Sequence, residues 1–590
     1  MQYSKVNVLD EKFEKKEPVV KMYRGSSEIA NNQGTVVGGS LNGVTKIQFN
    51  VPLTPANFLD RAPLLKTTWS LDVPFTNDIV AGAGTLIAAN AKVVALGQDV
   101  TMSAYPFTTN CVGNADVYLN GAQICTYDMS KYAKILLRLA DVEKNMNKNT
   151  CPSCPELTFA QISDAQLTMS NPQASFNDAT NNYIPNGSWA FDSITCPSTD
   201  AGGAAITLSG GLAPRGGIAA AASVVYTFTA TTYEPLVVPP FDFKGGKDDE
   251  TAIFAANNLQ LNLTLNNQTA FRAFRCQLIS LLNVVTGGSA ANVVIGAPTN
   301  LRVASCILKY QTMAEPNLPG FRLPTPYSIF HSWDFYSTFL QSNTAFPVAD
   351  ATGTSTVSNI TLSNVIAKGM PSLILVWCDK MDSNYAQNQC KYFYPITNLQ
   401  ISLGTKQGML ANYDIADLYR LSKDCGLNQS YLSFIGKAYA NSFTLAGAAT
   451  QSQVPLVGGV ICLRPGVSLP LPSQISTNAN GSFTFGFQAT CNNYVASDNT
   501  GGASPQNPYI NIMFIYDSWI TIDTSNLRCT KHIGMLTPAE IAGIHQKDEV
   551  VVDSDVGPAA GEAGGLLHHS MGHAGYSAPN KLSKMIRKRA

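Results

Sequence analysis

The chain has 590 residues, more than one compact core usually holds, so two large domains or several small ones are expected. Hydrophobic residues make up 45% and aromatics 9%, too much for a disordered chain, while charged residues at 13% are too few for a long exposed helix or coiled coil. With 39 bases against 40 acids the chain lacks the positive excess that coats nucleic acid, and so sparse a charge implies a surface partly covered by other subunits.

The first residues stand apart. Between Lys5 and Arg24 lie 6 bases and 4 acids with no apolar run, which reads as a charged arm over 1–40 without a secretory signal. No apolar stretch approaches the ~20 residues of a membrane-spanning helix, so the chain is expected to be soluble and made in the cytosol. From about residue 41 short strands take over. KIQFNVPL (46–53), TTWSLDVPF (67–75) and AKVVALGQDVTMSAY (91–105) are β-branched or aromatic and partly alternating. YDMSKYAKILLRLADVEKNM (127–146) then changes period. Tyr132, Ile135, Leu136, Leu139 and Val142 fall on one helical face and Asp128 sits at the N-cap, predicting a helix over 128–146. Residues 147–220, rich in Asn, Ser, Pro, Gly and Ala, read as a long surface loop.

Strands resume with VVYTFTATTY (224–233), LQLNLTLNN (259–267) and LRVASCILKY (301–310). Pro316, Pro319, Gly320 and Pro324 break any element near 315–325 and divide a first domain, 41–318, from a second, 319–535. The second domain reads STVSNITLSNV (355–365), SLILVWCD (372–379), TNLQISLGT (397–405), GSFTFGFQA (481–489) and INIMFIYDSWITIDT (510–524). Its helix is predicted over 414–425. Ile415, Leu418, Tyr419 and Leu421 share a face, Asp414 is the N-cap, Asp417 suits a capping box and Gly426 stops the run. A tail over 536–590 ends KLSKMIRKRA. There Lys581, Lys584, Arg587, Lys588 and Arg589 surround Leu582, Met585 and Ile586, which fall on one helical face. Such a segment suits an anionic lipid surface, nucleic acid or an acidic groove, and five bases neutralise only about five phosphates, so binding would be salt-sensitive. Residues 25–580 hold the remaining 28 bases and 36 acids, so the extreme termini are basic against an acidic body.

The two domains repeat one another. DVYLNGAQICTYD (116–128) and LQISLGTKQGMLANYD (399–414) each run strand, glycine turn, Tyr-Asp and helix. Downstream, VVPPFDF, LQLNLTLNN and VASCILKYQ match GVSLPLP, GSFTFGFQA and IMFIYDSWITI at shorter offsets, so 147–220 is extra sequence in the first copy. The fold class expected is all-β: two tandem eight-stranded jelly-roll sandwiches, each with a short inserted helix, plus flexible termini. This arrangement, with the turn Leu119, Asn120, Gly121 and Ile124 and the closing strand INIMFIYDSWITIDT, resembles the double jelly-roll major capsid proteins of the adenovirus, virophage, Polinton-like and large DNA virus lineage. The resemblance implies a virion protein that forms homotrimers of pseudo-sixfold outline and tiles an icosahedral shell. The partners expected are further copies of the chain and minor capsid or penton proteins; the termini match no motif of that family, and the basic tail is expected from its own charge to reach an inner membrane or the genome. A tandem sandwich adhesin that binds carbohydrate, or a single-jelly-roll RNA-virus capsid protein, are the competing readings.

Candidate chemistry is sparse. Cys151 and Cys154 form a CxxC after a helix with no second pair, which reads as loop cysteines rather than a zinc or redox site. His568, His569 and His573 cluster in a Gly/Ala tail without a scaffold to fix ligand geometry, and His331 reads as a packed residue. No phosphate loop, dinucleotide fingerprint, zinc-protease helix or nucleophile elbow is present. No catalytic, cofactor-binding or metal residues are therefore expected.

Overall fold

The computed structural model describes residues 27–37, 46–76, 100–139, 191–195, 223–241, 252–276, 294–313, 327–367, 371–381, 391–443, 449–469, 483–501 and 505–533, short gaps within these ranges aside. The first block is built on eight strands: β1 (Ser27–Gln33), β2 (Lys46–Pro52), β3 (Leu64–Thr76), β4 (Val112–Leu119), β5 (Ala122–Asp128), β6 (Ser223–Pro235), β7 (Asn258–Leu265) and β8 (Thr299–Met313). They form two antiparallel sheets in the orders β1-β8-β3-β6 and β2-β7-β4-β5. The second block repeats this with β9 (Tyr327–Gln341), β10 (Ser355–Ala367), β11 (Leu373–Asp379), β12 (Ile396–Leu403), β13 (Lys406–Met409), β14 (Ile461–Leu463), β15 (Phe483–Asn493) and β16 (Tyr509–Asp523). Its sheets run β9-β16-β11-β14 and β10-β15-β12-β13. In both blocks the first strand lies beside the eighth, the eighth beside the third, the third beside the sixth, while the second, seventh, fourth and fifth make the other sheet. That order is a jelly roll.

The residue pattern explains the two kinds of strand. β2 and β7 alternate strictly between buried and exposed or half-buried positions, as a sheet with one face on the core requires. β11 and the 510–516 stretch of β16 are buried on both faces. One face meets the opposite sheet, where Phe514 lies 5.1 Å from Phe485. The chain between β13 and β14 closes over this sheet: the Cys462 N–H donates to Ser422 Oγ at 3.1 Å. That segment carries two helices, α2 (Ile415–Asp424) and α3 (Tyr431–Ile435); α1 (Met129–Leu136) holds the matching place after β5 in the first block.

Three expectations shift. Residues 27–37 belong to the first jelly roll and not to the arm drawn over 1–40. β1 pairs with β8, then the chain crosses at Gly34 and Thr35–Val37 pairs with β2. The helix drawn over 128–146 ends at Leu136. The Leu139 N–H donates to Leu136 O at 3.0 Å and Leu139 pairs with Leu427 as an isolated antiparallel bridge between the blocks, while 140–146 lie outside the described residues. Residues 193–195 of the presumed loop form a strand on β6, and Phe191 beside them is buried against Trp69, Phe228 and Phe274. Trp189 and Phe191 stand in a polar stretch with no sustained alternation to read. The rest of 147–220 and the 314–326 boundary lie outside the described residues, as do both extreme termini.

Candidate functional site

The junction between the two blocks ties several described segments together, and it grows from the Asn120-Gly121 turn. Both residues have positive φ, 49° and 79°, as a two-residue turn between β4 and β5 requires, and glycine meets that demand without steric cost. The Asn120 side chain then ties three segments together. Its Nδ2 donates to Ala255 O and to Leu527 O, each at 3.0 Å, and its Oδ1 accepts the Asn257 N–H at 2.8 Å. Leu527 belongs to the second block, so the turn of the first is bonded directly to the end of the second.

An aromatic cluster continues this contact. Tyr127 and Tyr132 of the first block meet Trp333 and Phe335 of β9, with ring centroids 4.9–5.7 Å apart. Edge-to-face pairs of this kind add to the burial itself. Trp333 Nε1 donates to Phe241 O at 3.0 Å, and Tyr132 Oη hydrogen-bonds Ser337 Oγ. Lys531, on the strand Cys529–Ile533 that extends the second block, donates to Ile124 O at 2.8 Å and pairs with Asp334 at 3.2 Å. Desolvation pushes the neighbouring Cys125 thiol up to about 12, an inert buried sulfur.

Each block also locks itself internally. In the first, Asp72 is bound by Arg302, Thr227 and Asn300. Burial alone would raise its carboxyl, but these hydrogen bonds and the guanidinium charge outweigh it and hold the pKa below the usual carboxylate range. Glu234, fully buried, accepts the Phe107 and Thr108 N–H groups at 2.9 and 2.8 Å and so caps a one-turn π-helix over Phe107–Cys111. In the second block Lys380 and Asp498 form a buried ion pair at 2.9 Å, and Tyr392 and Tyr394 both donate to the same carboxylate oxygen.

The sequence-predicted residues fall in separate places. Asp128 accepts the Lys131 N–H at 3.2 Å and Ser130 Oγ at 2.7 Å at the start of α1, and Asp414 accepts the Asp417 N–H at 2.8 Å at the start of α2. Lys581, Lys584, Arg587, Lys588 and Arg589 lie outside the described residues, with Cys151, Cys154 and His568 to His573. His331 sits within β9 and shares a rung with Trp519, as His532 does from the other side. Among the described residues no cluster of His, Cys, Asp and Glu is arranged to hold a metal, and no helix is long and apolar enough to cross a membrane. The junction residues Trp333, Phe335 and Lys531 were not foreseen; the repeated aromatics of 327–341 were the available signal.

Two jelly rolls of the same strand order, fused through a buried aromatic junction, define a double jelly-roll protein. Comparisons with known proteins agree and narrow the class. The model of the Sputnik virophage major capsid protein first domain matches residues 2–311, and that of the major capsid protein V20 C-terminal domain matches 335–517. The chain belongs to the virophage major capsid protein family. It is 23% identical over 397 residues to the putative capsid protein V20 of Sputnik virophage, across 65% of this chain and 57% of that relative's length. Among solved structures it is similar to a chain of the Sputnik virophage particle determined by cryo-EM (TM-score 0.63, 16% identity, 93% of this chain and 96% of that one). It is also similar to the mavirus major capsid protein (TM-score 0.58, 18% identity, 89% and 94%). The paired blocks depart from the single jelly roll of the RNA-virus alternative.

Proposed function

We propose that this chain is the major structural subunit of an icosahedral virion shell, assembling as homotrimers of pseudo-sixfold outline and acting without catalysis. The observation that carries the reading is the repeat of the eight-stranded order in two fused blocks. Three copies of such a chain present six similar blocks, so a threefold oligomer fills a hexagonal lattice position. The family membership supports it, and so does the low charge, since obligate interfaces leave little surface wet. The tail ending in Lys581, Lys584, Arg587, Lys588 and Arg589 is assigned to the inner side of the shell, in contact with minor or penton proteins, an inner membrane or the genome. Sedimentation of the full chain at micromolar concentration tests the main reading. Trimers or larger closed particles are the expected result, and a stable monomer overturns it.

A further inference from the structure

The chain contains four Asn-Gly pairs, which begin at Asn42, Asn120, Asn186 and Asn480. In such a pair the asparagine side chain is open to attack by the next backbone nitrogen, because glycine has no Cβ to block the approach. Asn120-Gly121 lies among the described residues, and the other three pairs lie outside them. A Cβ added at Gly121 would meet nothing within 4 Å, so that side of the turn is open space.

Three unusual backbones converge on the Asn120 amide. Asn120, Ala255 and Leu527 all have positive φ, at 49°, 62° and 58°. For alanine and leucine this conformation is costly and persists only where the surroundings impose it. Asn120 Nδ2 donates to the carbonyls of those same two residues, one in each block, at 3.0 Å. Its Oδ1 accepts the Asn257 N–H at 2.8 Å and the Asn258 N–H at 3.3 Å, and its own N–H donates to Asn258 O at 2.8 Å. The arrangement requires an amide at this position. Two acceptors face Nδ2, and a carboxylate has no proton to give them.

We propose that Asn120 is a deamidation site, protected while the junction is closed, whose modification prevents the junction from closing again. In the open chain the Gly121 nitrogen loses its proton and attacks Asn120 Cγ. The bond from Cγ to Nδ2 breaks, the amide leaves with that proton as ammonia, and a five-membered succinimide remains. Water then opens the ring at either carbonyl and leaves aspartate or isoaspartate. Neither product fits the junction. Aspartate sets a carboxylate against Ala255 O and Leu527 O. Isoaspartate adds a methylene to the main chain, and the two-residue turn that pairs Leu119 with Ala122 no longer matches its register. The closed junction opposes the reaction, because Nδ2 leaves only by giving up its bonds to both blocks. The inference is independent of the assembly reading.

The test is to hold the full chain in mildly alkaline oxygen-18 water, either folded or in urea, and to follow the Asn-Gly peptides by mass. Conversion makes a peptide heavier by about 3 Da, one from the change of amide to acid and two from the labelled oxygen. In urea the Asn120 peptide is expected to convert alongside the other three. In the folded protein it is expected to convert at least about tenfold more slowly than in urea, since the reaction then waits on opening of the junction. Trp333→Ala, which removes part of the aromatic contact, should bring the folded rate towards the urea rate. Asn120→Asp, which carries the product from the start, should melt as two separate blocks in calorimetry where the unaltered chain melts as one. Equal rates at Asn120 in the folded and urea samples, or an unchanged melt for Asn120→Asp, overturn the proposal. Where either variant fails to fold, the ratio of folded to urea rates in the unaltered chain decides.

Discussion

At the scale of single residues, a buried ion pair with two tyrosine hydroxyls ties distant parts of the second block together. Lys380 and Asp498 pay a desolvation penalty that their mutual attraction and two tyrosine hydroxyls offset. Removing one partner strands the other charge. Lys380→Ala should therefore cost about 3–5 kcal/mol, read by urea unfolding, whereas Lys380→Met with Asp498→Leu together should cost far less. Asp72 gives a pH signature in the first block. Its folded pKa lies below the unfolded value of about 4, so its stabilisation is complete above that value and is lost as pH falls through the folded pKa. Asp72→Asn should lower stability at pH 7 and flatten the acid limb of a stability–pH curve; an unchanged acid limb would show that Asp72 contributes nothing. Gly458 is a steric case: at φ 77° an added Cβ would stand 2.1 Å from Phe393 O, so Gly458→Ala should destabilise by about 1–3 kcal/mol in the same assay. Of these residues none was visible in advance. Lys380 and Asp498 are 118 positions apart, and a residue's partner at that separation is set by the fold, not by local pattern. The Asn120-Gly121 turn was legible because its chemistry is local.

At the scale of elements, legibility followed how many faces a segment buries. β2 and β7 alternate and were read with nearly their observed limits. β11 was read from an unbroken apolar run, the mark of a strand covered on both sides. β9 was not read at all. Its fifteen residues mix Ser, Asp and His with aromatics because one part faces the first block, another its own sandwich, and Phe339 remains 57% exposed. β14 and α3 were too short, at three and five residues, for any period to register. Leu139 was read as part of the helical stripe because its spacing fits, yet it serves the bridge to Leu427. The same contact makes the junction testable. Trp333→Ala should cost about 3–5 kcal/mol and separate the unfolding of the two blocks in calorimetry into two transitions. Trp333→Phe, which keeps the ring but orphans Phe241 O, should cost about 1 kcal/mol and leave a single transition.

At the scale of the molecule, a ring of six blocks made from three chains needs two kinds of seam. One lies within the chain, where Tyr127 of β5 and Tyr132 of α1 meet β9 of the second block. In the trimer proposed above, the other would join the second block to the first block of the next chain, and the correspondence of α2 and α3 with α1 would put it near those helices. The described residues there are suited to burial: Tyr431 and Leu432 project from α3 with Leu432 56% exposed, next to Tyr419, whose ring packs 5.2 Å from that of Tyr431. A charge at this point should act on association and leave the fold intact, because Leu432 is not part of the buried core. Leu432→Asp is expected to raise the concentration at which trimers dissociate by at least about tenfold in sedimentation velocity, without moving the midpoint of unfolding for the isolated chain. Cleavage of the last ten residues, which removes five bases, should leave that association constant unchanged while reducing salt-sensitive binding to anionic vesicles or DNA. Trimers that tolerate Leu432→Asp would move the second seam elsewhere on the block without disturbing the repeat from which the trimer is argued.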